Sequence, residues 1–260
     1  MFIEQMKTKI IKIRKDHDIA KCRKIDEILY LAELMDYEKD LSPHAFEGSA
    51  GLYYVICGDK TRIIGERAFA NCKNLLRFDG LPQVVAKEAF SFCSNLKSFN
   101  FGTLHSLSPS SFSYSGLTNI DIPSKIKSIP NNCFMACVDL KHANFNEVEQ
   151  IEDEAFQSTG LKYIKIQNSL ESIGKRAFEG CLYLSDIFVE RILPPKIYSS
   201  TFYGCYIRNI YFYSKIQYDF FIRDKNWSKY QDTFKIISPK DAKQIITKLD
   251  NQQDNLWKCM

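Results

Sequence analysis

The stretch "IGERAFANC" (64–72) recurs along the chain with small changes, and its recurrence decides the fold. Close copies are "VAKEAFSFC" (85–93), "IPNNCFMAC" (129–137) and "IGKRAFEGC" (173–181). In each copy a Phe stands three residues before a Cys. An internal period of this kind is the signature of a repeat protein, in which one structural unit is stacked many times.

The Phe in this stretch marks the period of the repeat. It recurs at intervals of 21 to 24 residues, at Phe46, Phe69, Phe90, Phe112, Phe134, Phe156, Phe178 and Phe202. A pattern of the form Leu-x-x-apolar-x-apolar follows, as in "LTNIDI" (117–122) and "LKYIKI" (161–166). The alternation in this pattern is typical of a strand that turns one face to the core.

A single unit of about 22 residues cannot bury its own apolar side, so the copies must stack on one another. We therefore predict a repeat solenoid of about eight rungs. Its strands should join in one parallel β-sheet, with neighbouring strands ~4.8 Å apart.

Two long copies, "LTNIDIPSKIKSIPNNCFMAC" (117–137) and "LKYIKIQNSLESIGKRAFEGC" (161–181), resemble the BspA-like leucine-rich repeat. The family unit is a strand, then Pro-Ser-x-Val, then Ile-Gly-x-x-Ala-Phe-x-x-Cys. The resemblance covers residues 41–212, and "YSKIQYDFFIRDKNWSKYQDTFKII" (213–237) is similar to the segment that closes such stacks. It implies a leucine-rich-repeat fold with a broad binding surface. Similar proteins include bacterial surface adhesins and protist surface proteins.

The ends of a solenoid expose apolar core and need caps. Residues 18–38, "DIAKCRKIDEILYLAELMDYE", carry apolar side chains at spacings of three and four and predict an amphipathic helix. This helix would cap the first rung, or alternatively bind a partner. At the other end, "SPKDAKQIITKL" (238–249) begins as helices do. We expect Ile245, Ile246 and Leu249 to pack on the solenoid.

These patterns divide the chain into four parts. We predict an N-terminal helical cap at 1–40, leucine-rich repeats at 41–212, a C-terminal capping segment at 213–238, and a helix or tail at 239–260.

The Cys of the repeat shares its position with Ser49, Ser115 and Thr159. A site that accepts all three residue types indicates packing of a small side chain rather than thiol chemistry. A zinc site would need four ligands, and no His lies at a useful spacing from Cys72 and Cys93. Disulfides between adjacent rungs fit geometrically but would not persist in a reducing cell.

Composition and charge limit the classes of function and the compartment that we expect. The formal net charge of +4 is small for a nucleic-acid binder, and no apolar run is long enough to span a membrane. The start of the chain does not resemble a signal peptide and nine cysteines are present, so we expect a cytoplasmic protein; the alternative is secretion without a cleaved signal. We expect a monomer with no metal and no cofactor.

The outward strand positions offer the candidate site. In the second half of the sheet they combine aromatic and charged residues: Tyr163, Lys165, Asp186, Phe188, Asn209 and Tyr211. Exposed aromatic side chains beside charges are typical of protein-binding hot spots, although cross-strand aromatic pairs also stabilise sheets.

We therefore predict a non-enzymatic protein–protein interaction module. The alternative is an adhesin-like protein that binds carbohydrate or another surface ligand. The sequence has no phosphate-binding loop, no His-Glu-x-x-His and no Gly-x-Ser-x-Gly. An enzyme would need a cleft with converging titratable groups, and the sequence identifies no such set.

Overall fold

The computed structural model describes residues 9–12, 30–34 and 40–251. This part of the chain forms a parallel β-solenoid of about nine turns, which confirms the predicted architecture. The strands are β1 (Lys9–Lys12), β2 (Tyr30–Leu34), β3 (Leu52–Cys57), β4 (Ile63–Ile64), β5 (Arg77–Asp79), β6 (Val84–Val85), β7 (Ser106–Leu107), β8 (Asn119–Asp121), β9 (Ser128–Ile129), β10 (His142–Asn144), β11 (Gln150–Ile151), β12 (Tyr163–Ile166), β13 (Ser172–Ile173), β14 (Asp186–Val189), β15 (Asn209–Phe212) and β16 (Phe234–Ile236).

Each rung contributes to two ladders of parallel strands. The longer strands form a broad sheet in three segments, ordered β1-β2-β3-β5, then β8-β10, then β12-β14-β15-β16. The two-residue strands form a second ladder, ordered β4-β6-β7 and β9-β11-β13. Successive rungs add to both ladders in the same direction, so the core runs as one column between them.

One predicted strand is absent. Residues 96–101 have the repeat pattern, but no strand forms there. Phe99 and Phe101 both pack against Phe112, with ring centroids 4.9 and 5.3 Å away. Three phenyl rings in one place take more room than the Ile side chains of other rungs, and the broad sheet is interrupted at this rung.

The repeated Phe forms a continuous column through the core. Consecutive rings from Phe46 to Phe202 stack at centroid distances of 5.1–5.8 Å and within 14° of parallel. All eight rings are buried. The column explains why the Phe recurs from rung to rung: each ring between Phe46 and Phe202 is covered above and below by its own copies.

The turn that carries the Phe has an unusual backbone. Residues two before and two after the ring adopt left-handed conformations, for example Arg67 at φ 53° and Asn71 at φ 61°. Such conformations cost about 1–2 kcal/mol each for a residue other than Gly. The amides of Arg67, Phe69 and Asn71 all donate to carbonyl oxygens of the next rung at 2.8–3.0 Å. These bonds between rungs offset the strain.

Charged side chains at the left-handed positions pair across rungs. Arg67 contacts both Glu47 and Glu88, one from the rung before and one from the rung after. Farther along, Arg176 Nη1 lies 3.5 Å from Glu154 Oε1. Two places along the outer edge of the turns therefore carry ion pairs between rungs.

The predicted N-terminal helix is wrong for residues 30–34, which form strand β2. Its side chains alternate, with Ala32 and Leu34 buried and Leu31 and Glu33 partly exposed. The strand pairs with β1 on one side and β3 on the other, so the broad sheet extends toward the N-terminus. The free edge of β3 offers hydrogen bonds that a helix would leave unmade. Residues 18–29 and 35–38 of the same prediction lie outside the described residues.

The C-terminal end is closed by a compact aromatic segment. Helix α1 (Lys215–Arg223) and a 3-10 helix (Ser228–Thr233) precede strand β16. Between the two helices, Trp227 is fully buried, and its Nε1 donates to the carbonyl oxygen of Pro195 at 2.9 Å. Its ring lies 6.0 Å from Phe202, the last member of the Phe column.

A second helix, α2 (Pro239–Asn251), follows as predicted. Its first turn is capped by Ser238, whose hydroxyl accepts from the amide of Asp241 at 3.2 Å. No helix within the described ranges has the length and apolar character needed to cross a membrane.

Candidate interaction surfaces

The repeated Cys residues, which form a column beside the Phe column, take part in hydrogen bonds within the core. Five thiols donate to the carbonyl oxygen of a Phe in the preceding rung at 2.9–3.1 Å: Cys72, Cys93, Cys137, Cys181 and Cys205. Burial raises the pKa of Cys72 to about 12 and that of Cys137 to about 11. These two thiols are therefore protonated donors, which matches a packing role.

The structure brings the six predicted partner-binding residues together. They lie in register on β12, β14 and β15, in two rows across the broad sheet. One row is Tyr163, Asp186 and Asn209, and the other is Lys165, Phe188 and Tyr211.

The expected exposure of these residues is wrong for half of them. Asp186 is buried, Phe188 is 0% exposed and Tyr211 is 6% exposed. Tyr163, Lys165 and Asn209 are partly exposed. The rings contact each other: Phe188 lies 4.9 Å from Tyr211 and 5.8 Å from Tyr163. The reason for the burial is that helix α2 covers this part of the sheet.

Helix α2 sits on the aromatic row through its apolar side. Ala242 packs with Phe188 and Tyr211, and the aliphatic side chains of Ile245, Ile246 and Leu249 pack around them. The prediction that these three aliphatic residues pack on the solenoid is confirmed.

Polar contacts hold the C-terminal turn of α2. Lys162 Nζ lies 3.4 Å from the carbonyl oxygen of Leu249, and His142 Nδ1 lies 3.3 Å from Asp250 Oδ1. Burial together with the Asp250 carboxylate raises the pKa of Tyr163 to about 12. The helix thus contacts the sheet through polar groups at its end and through apolar groups along its length.

The middle of the broad sheet, at β8 and β10, is open and polar. Asn144 Nδ2 donates to Asp121 Oδ1 at 2.9 Å, and both side chains are exposed. Two grooves border this region, with volumes of about 540 and 780 Å³, and they share Ser124. Their polar lining comes from Asn100, Asn119, Asp121, Ser124, Asn146, Glu147, Gln167, Asn168, Ser169 and Glu190.

Sequence reasoning missed a third surface, beside the repeated turns. Val138 is 66% exposed, Leu182 63% and Tyr206 69%. Each directly follows the Cys of its repeat, whereas Lys73 and Ser94 stand there in earlier copies. We call Val138, Leu182 and Tyr206, with the nearby Tyr203, the turn edge. The sequence shows these apolar residues at a position that is polar in those earlier copies and is Gly116 or Gly160 in two others.

A notch opens at the start of the turn edge. The loop "SGL" (115–117) is one residue shorter than "CSNL" (93–96) of the preceding copy. Gly116 fits there because a Cβ at this position would lie 2.1 Å from the carbonyl oxygen of Ser94. The notch has a volume of about 340 Å³, and its walls are Phe92, Tyr114 and Val138.

Aromatic stacking and an ion pair frame the notch. The rings of Phe92 and Tyr114 stack at 4.5 Å, and both are exposed. Lys97 Nζ lies 2.6 Å from Asp139 Oδ2, which joins two rungs across the short loop between them.

The described residues contain no group of three or more His, Cys, Asp or Glu side chains able to hold a metal ion. A family model, the BspA type leucine rich repeat region, matches the chain in overlapping stretches 20–141, 76–185 and 105–228, with six copies. The chain belongs to the BspA-type leucine-rich repeat family. This family implies a protein-interaction or surface-adhesin type of module, and its members are generally not enzymes.

Solved leucine-rich repeat proteins are similar to parts of this chain. A protein from Bacteroides ovatus is 23% identical over 66% of this chain and 58% of its own, with a TM-score of 0.43. A leucine rich cell surface protein from Faecalibacterium prausnitzii is 22% identical over 72% of this chain and 44% of its own, with a TM-score of 0.45. This BspA-type chain therefore spans only about half the length of these two structures. The leucine-rich repeat protein of T. pallidum is 22% identical over 62% of this chain and 70% of its own, with a TM-score of 0.43. Among curated proteins, none matches.

Proposed function

We propose that this protein is a non-enzymatic interaction module that binds a protein partner through the turn edge. The observation that supports the proposal is the concentration of exposed apolar side chains at one repeat position. Val138, Leu182 and Tyr206 are each about two-thirds exposed, whereas the repeated Phe is buried in every copy. Exposed apolar patches with polar surroundings are typical of protein-binding surfaces.

The notch gives this surface a place for an anchor. A volume of about 340 Å³ accommodates one large apolar side chain, and the stacked rings of Phe92 and Tyr114 supply a wall for it. Side chains that enter such pockets dominate the binding energy of many interfaces. Lys73 and Asp139 line the same notch and offer polar contacts around the anchor.

The test compares two double variants of the full chain. Val138→Asp/Leu182→Asp places charges on the turn edge. Leu81→Asp/Leu193→Asp is the matched control, because these side chains are 51% and 53% exposed but lie outside the turn edge. Partners captured from the native source are purified and their affinity is measured directly.

We expect the turn-edge variant to weaken binding at least tenfold, while the control changes it less than twofold. Circular dichroism establishes that both variants fold. Equal affinity of the two variants for the captured partner contradicts the proposal.

A second candidate function rests on the polar grooves. Amide, hydroxyl and carboxylate groups such as Asn146, Gln167 and Glu190 are the donors and acceptors that sugar hydroxyls need. We propose carbohydrate binding as the alternative activity. A glycan array with the wild type and with Asn146→Ala/Gln167→Ala tests it, and loss of a sugar signal in the variant supports it.

We also propose that the protein works in a reducing compartment. The support is chemical: the core thiols of Cys72, Cys93 and Cys137 act as hydrogen-bond donors to carbonyl oxygens, and only the reduced form carries that hydrogen. Immunofluorescence of the native protein in its source cell tests the compartment.

A further inference from the structure

Helix α2 covers an aromatic surface that is complete without it. Tyr163, Phe188, Tyr211 and Tyr213 form this surface, which we call the aromatic face. Phe188 and Tyr211 lie on the outer side of the sheet, in a cluster separate from the main core, so α2 is what hides them from solvent.

Helix α2 buries few of its residues against the sheet. Of its thirteen residues only Ala242 is buried, Ile245, Ile246 and Leu249 are half-buried, and the other nine are exposed. Helices of this length are marginal in water without partners. The helix therefore depends on the aromatic face more than the solenoid depends on the helix.

The aromatic face fits a helix with a defined pattern of side chains. A small residue, Ala242, lies against the Phe188–Tyr211 pair, and aliphatic side chains follow three, four and seven positions later. Such spacing places all four on one side of a helix, which is the usual mode of helix recognition in grooves. Eight positions after the Ala, Asp250 contacts His142.

The surroundings of the aromatic face favour an acidic helix end. His142 and Lys162 contact the last turn of α2, and Lys165 and Lys235 lie on the same side of the sheet. A carboxylate at the C-terminal end of a helix opposes the helix dipole. Its presence in α2 is explained by the basic groups that receive it.

We propose that the aromatic face is a helix-binding site, and that an amphipathic helix of a partner protein replaces α2 on it. The partner helix carries a small residue, aliphatic residues three, four and seven positions later, and an acidic residue in its last turn. In the absence of the partner, α2 occupies the site. This surface is separate from the turn edge, so the two sites are tested independently.

The experiment uses the full chain and a labelled synthetic helix. The probe has Ala, Leu, Leu and Leu at the spacing of Ala242, Ile245, Ile246 and Leu249, one Asp eight positions after the Ala, and otherwise unrelated polar residues. A peptide with the same composition in scrambled order is the control. Binding is measured by fluorescence anisotropy.

Two variants distinguish the aromatic face without α2 from the face covered by α2. Ile245→Asp/Ile246→Asp releases α2 from the face. Gln244→Asp/Thr247→Asp adds the same charge on the exposed side of α2 and leaves it seated. We expect the released variant to bind the probe at least tenfold more tightly than the wild type and the seated control, and to ignore the scrambled peptide.

Further substitutions place the probe on the aromatic face. Adding Phe188→Ala to the released variant should weaken binding at least tenfold. Adding His142→Ala, which removes the group that contacts the acidic residue and an edge contact with the Tyr163 ring, should weaken it about threefold. The turn-edge variant Val138→Asp/Leu182→Asp should bind as its parent does.

Three results would overturn the proposal. One is equal binding of the probe to the released and seated variants. Another is binding to the released variant that neither Phe188→Ala nor His142→Ala reduces. The third is a concentration-dependent dimer of the wild type that the probe dissociates, because α2 would then be exchanged between two copies of this chain.

Discussion

At the scale of single residues, the cysteine column shows how a thiol serves a repeat. Cys137 Sγ donates to the carbonyl oxygen of Phe112 at 3.1 Å and lies 3.2 Å from Ser115 Oγ. At the same repeat position, the hydroxyls of Ser115 and Thr159 each lie 3.2 Å from the Cys sulfur of the next rung. A hydroxyl, like a thiol, can donate and accept hydrogen bonds, so Ser and Thr fit this position in place of Cys.

The raised pKa of Cys137 predicts a dependence of stability on pH. The pKa is 9.0 for an ordinary thiol here and about 11 in the folded chain, because burial disfavours the thiolate. The folded state therefore keeps its proton longer, and this part of the stability is present below pH 9 and lost as the pH rises toward 11.

We expect the free energy of unfolding to fall by about 1 kcal/mol more in the wild type than in Cys137→Ser between pH 8 and pH 10. Urea unfolding at the two pH values measures the difference. An equal decline in both proteins would show that this thiol is not held protonated.

At the scale of secondary structure, the turns rather than the strands unify the rungs. The two-residue strands of the second ladder and the interrupted broad sheet supply limited pairing. The Phe column and the amide ladder of the left-handed turns continue through rungs where the strands lapse, as at 96–101. The repeat is therefore best defined by its turn.

Replacing a Phe in the middle of the column by a smaller residue tests how much the turns contribute to stability. Phe134 is fully buried between Phe112 and Phe156, at 5.8 and 5.3 Å. We expect Phe134→Ala to lower the free energy of unfolding by about 3–5 kcal/mol, because it leaves a cavity and removes both stacking contacts. Phe134→Leu should cost less than half of that. Urea denaturation followed by circular dichroism gives both values, and similar small losses for the two variants would contradict the prediction.

The sequence predicted the elements unevenly. The turn repeat and the capped start of α2 were readable, because each depends on residues a few positions apart. Strand β2 was not, since its apolar residues also fit a helical spacing and the neighbouring edge of β3 decides between the two. The alternation in β14 showed which side Phe188 faces, but not that α2, far along the chain, would cover it.

At the scale of the whole molecule, the two ends of the solenoid differ. Toward the N-terminus, the described strands β1 and β2 continue the broad sheet. Toward the C-terminus, Trp227 and the helices around it close the core, and Phe221 lies 5.1 Å from the indole. Because each rung contacts its neighbours only, such a closing segment stabilises the adjacent rungs most.

Removal of the indole should therefore loosen the molecule from one end. We expect Trp227→Ala to cost about 3–5 kcal/mol and to speed amide hydrogen exchange in residues 184–212 well before residues 64–93. Hydrogen exchange followed by mass spectrometry resolves the two regions. Uniform acceleration along the chain would instead show a single cooperative unit.

The charges paired along the turns have a consequence for assembly of the fold. A chain made of near-identical units can join the wrong neighbours, since every rung offers the same Phe, the same amides and a small residue at the same position. The charged side chains, in contrast, differ from rung to rung: Arg67 lies between Glu47 of the rung before and Glu88 of the rung after. If one rung were skipped, Glu47 and Glu88 would become neighbours and repel each other. The charges at this end thus disfavour a stack in which the rung of Arg67 is skipped.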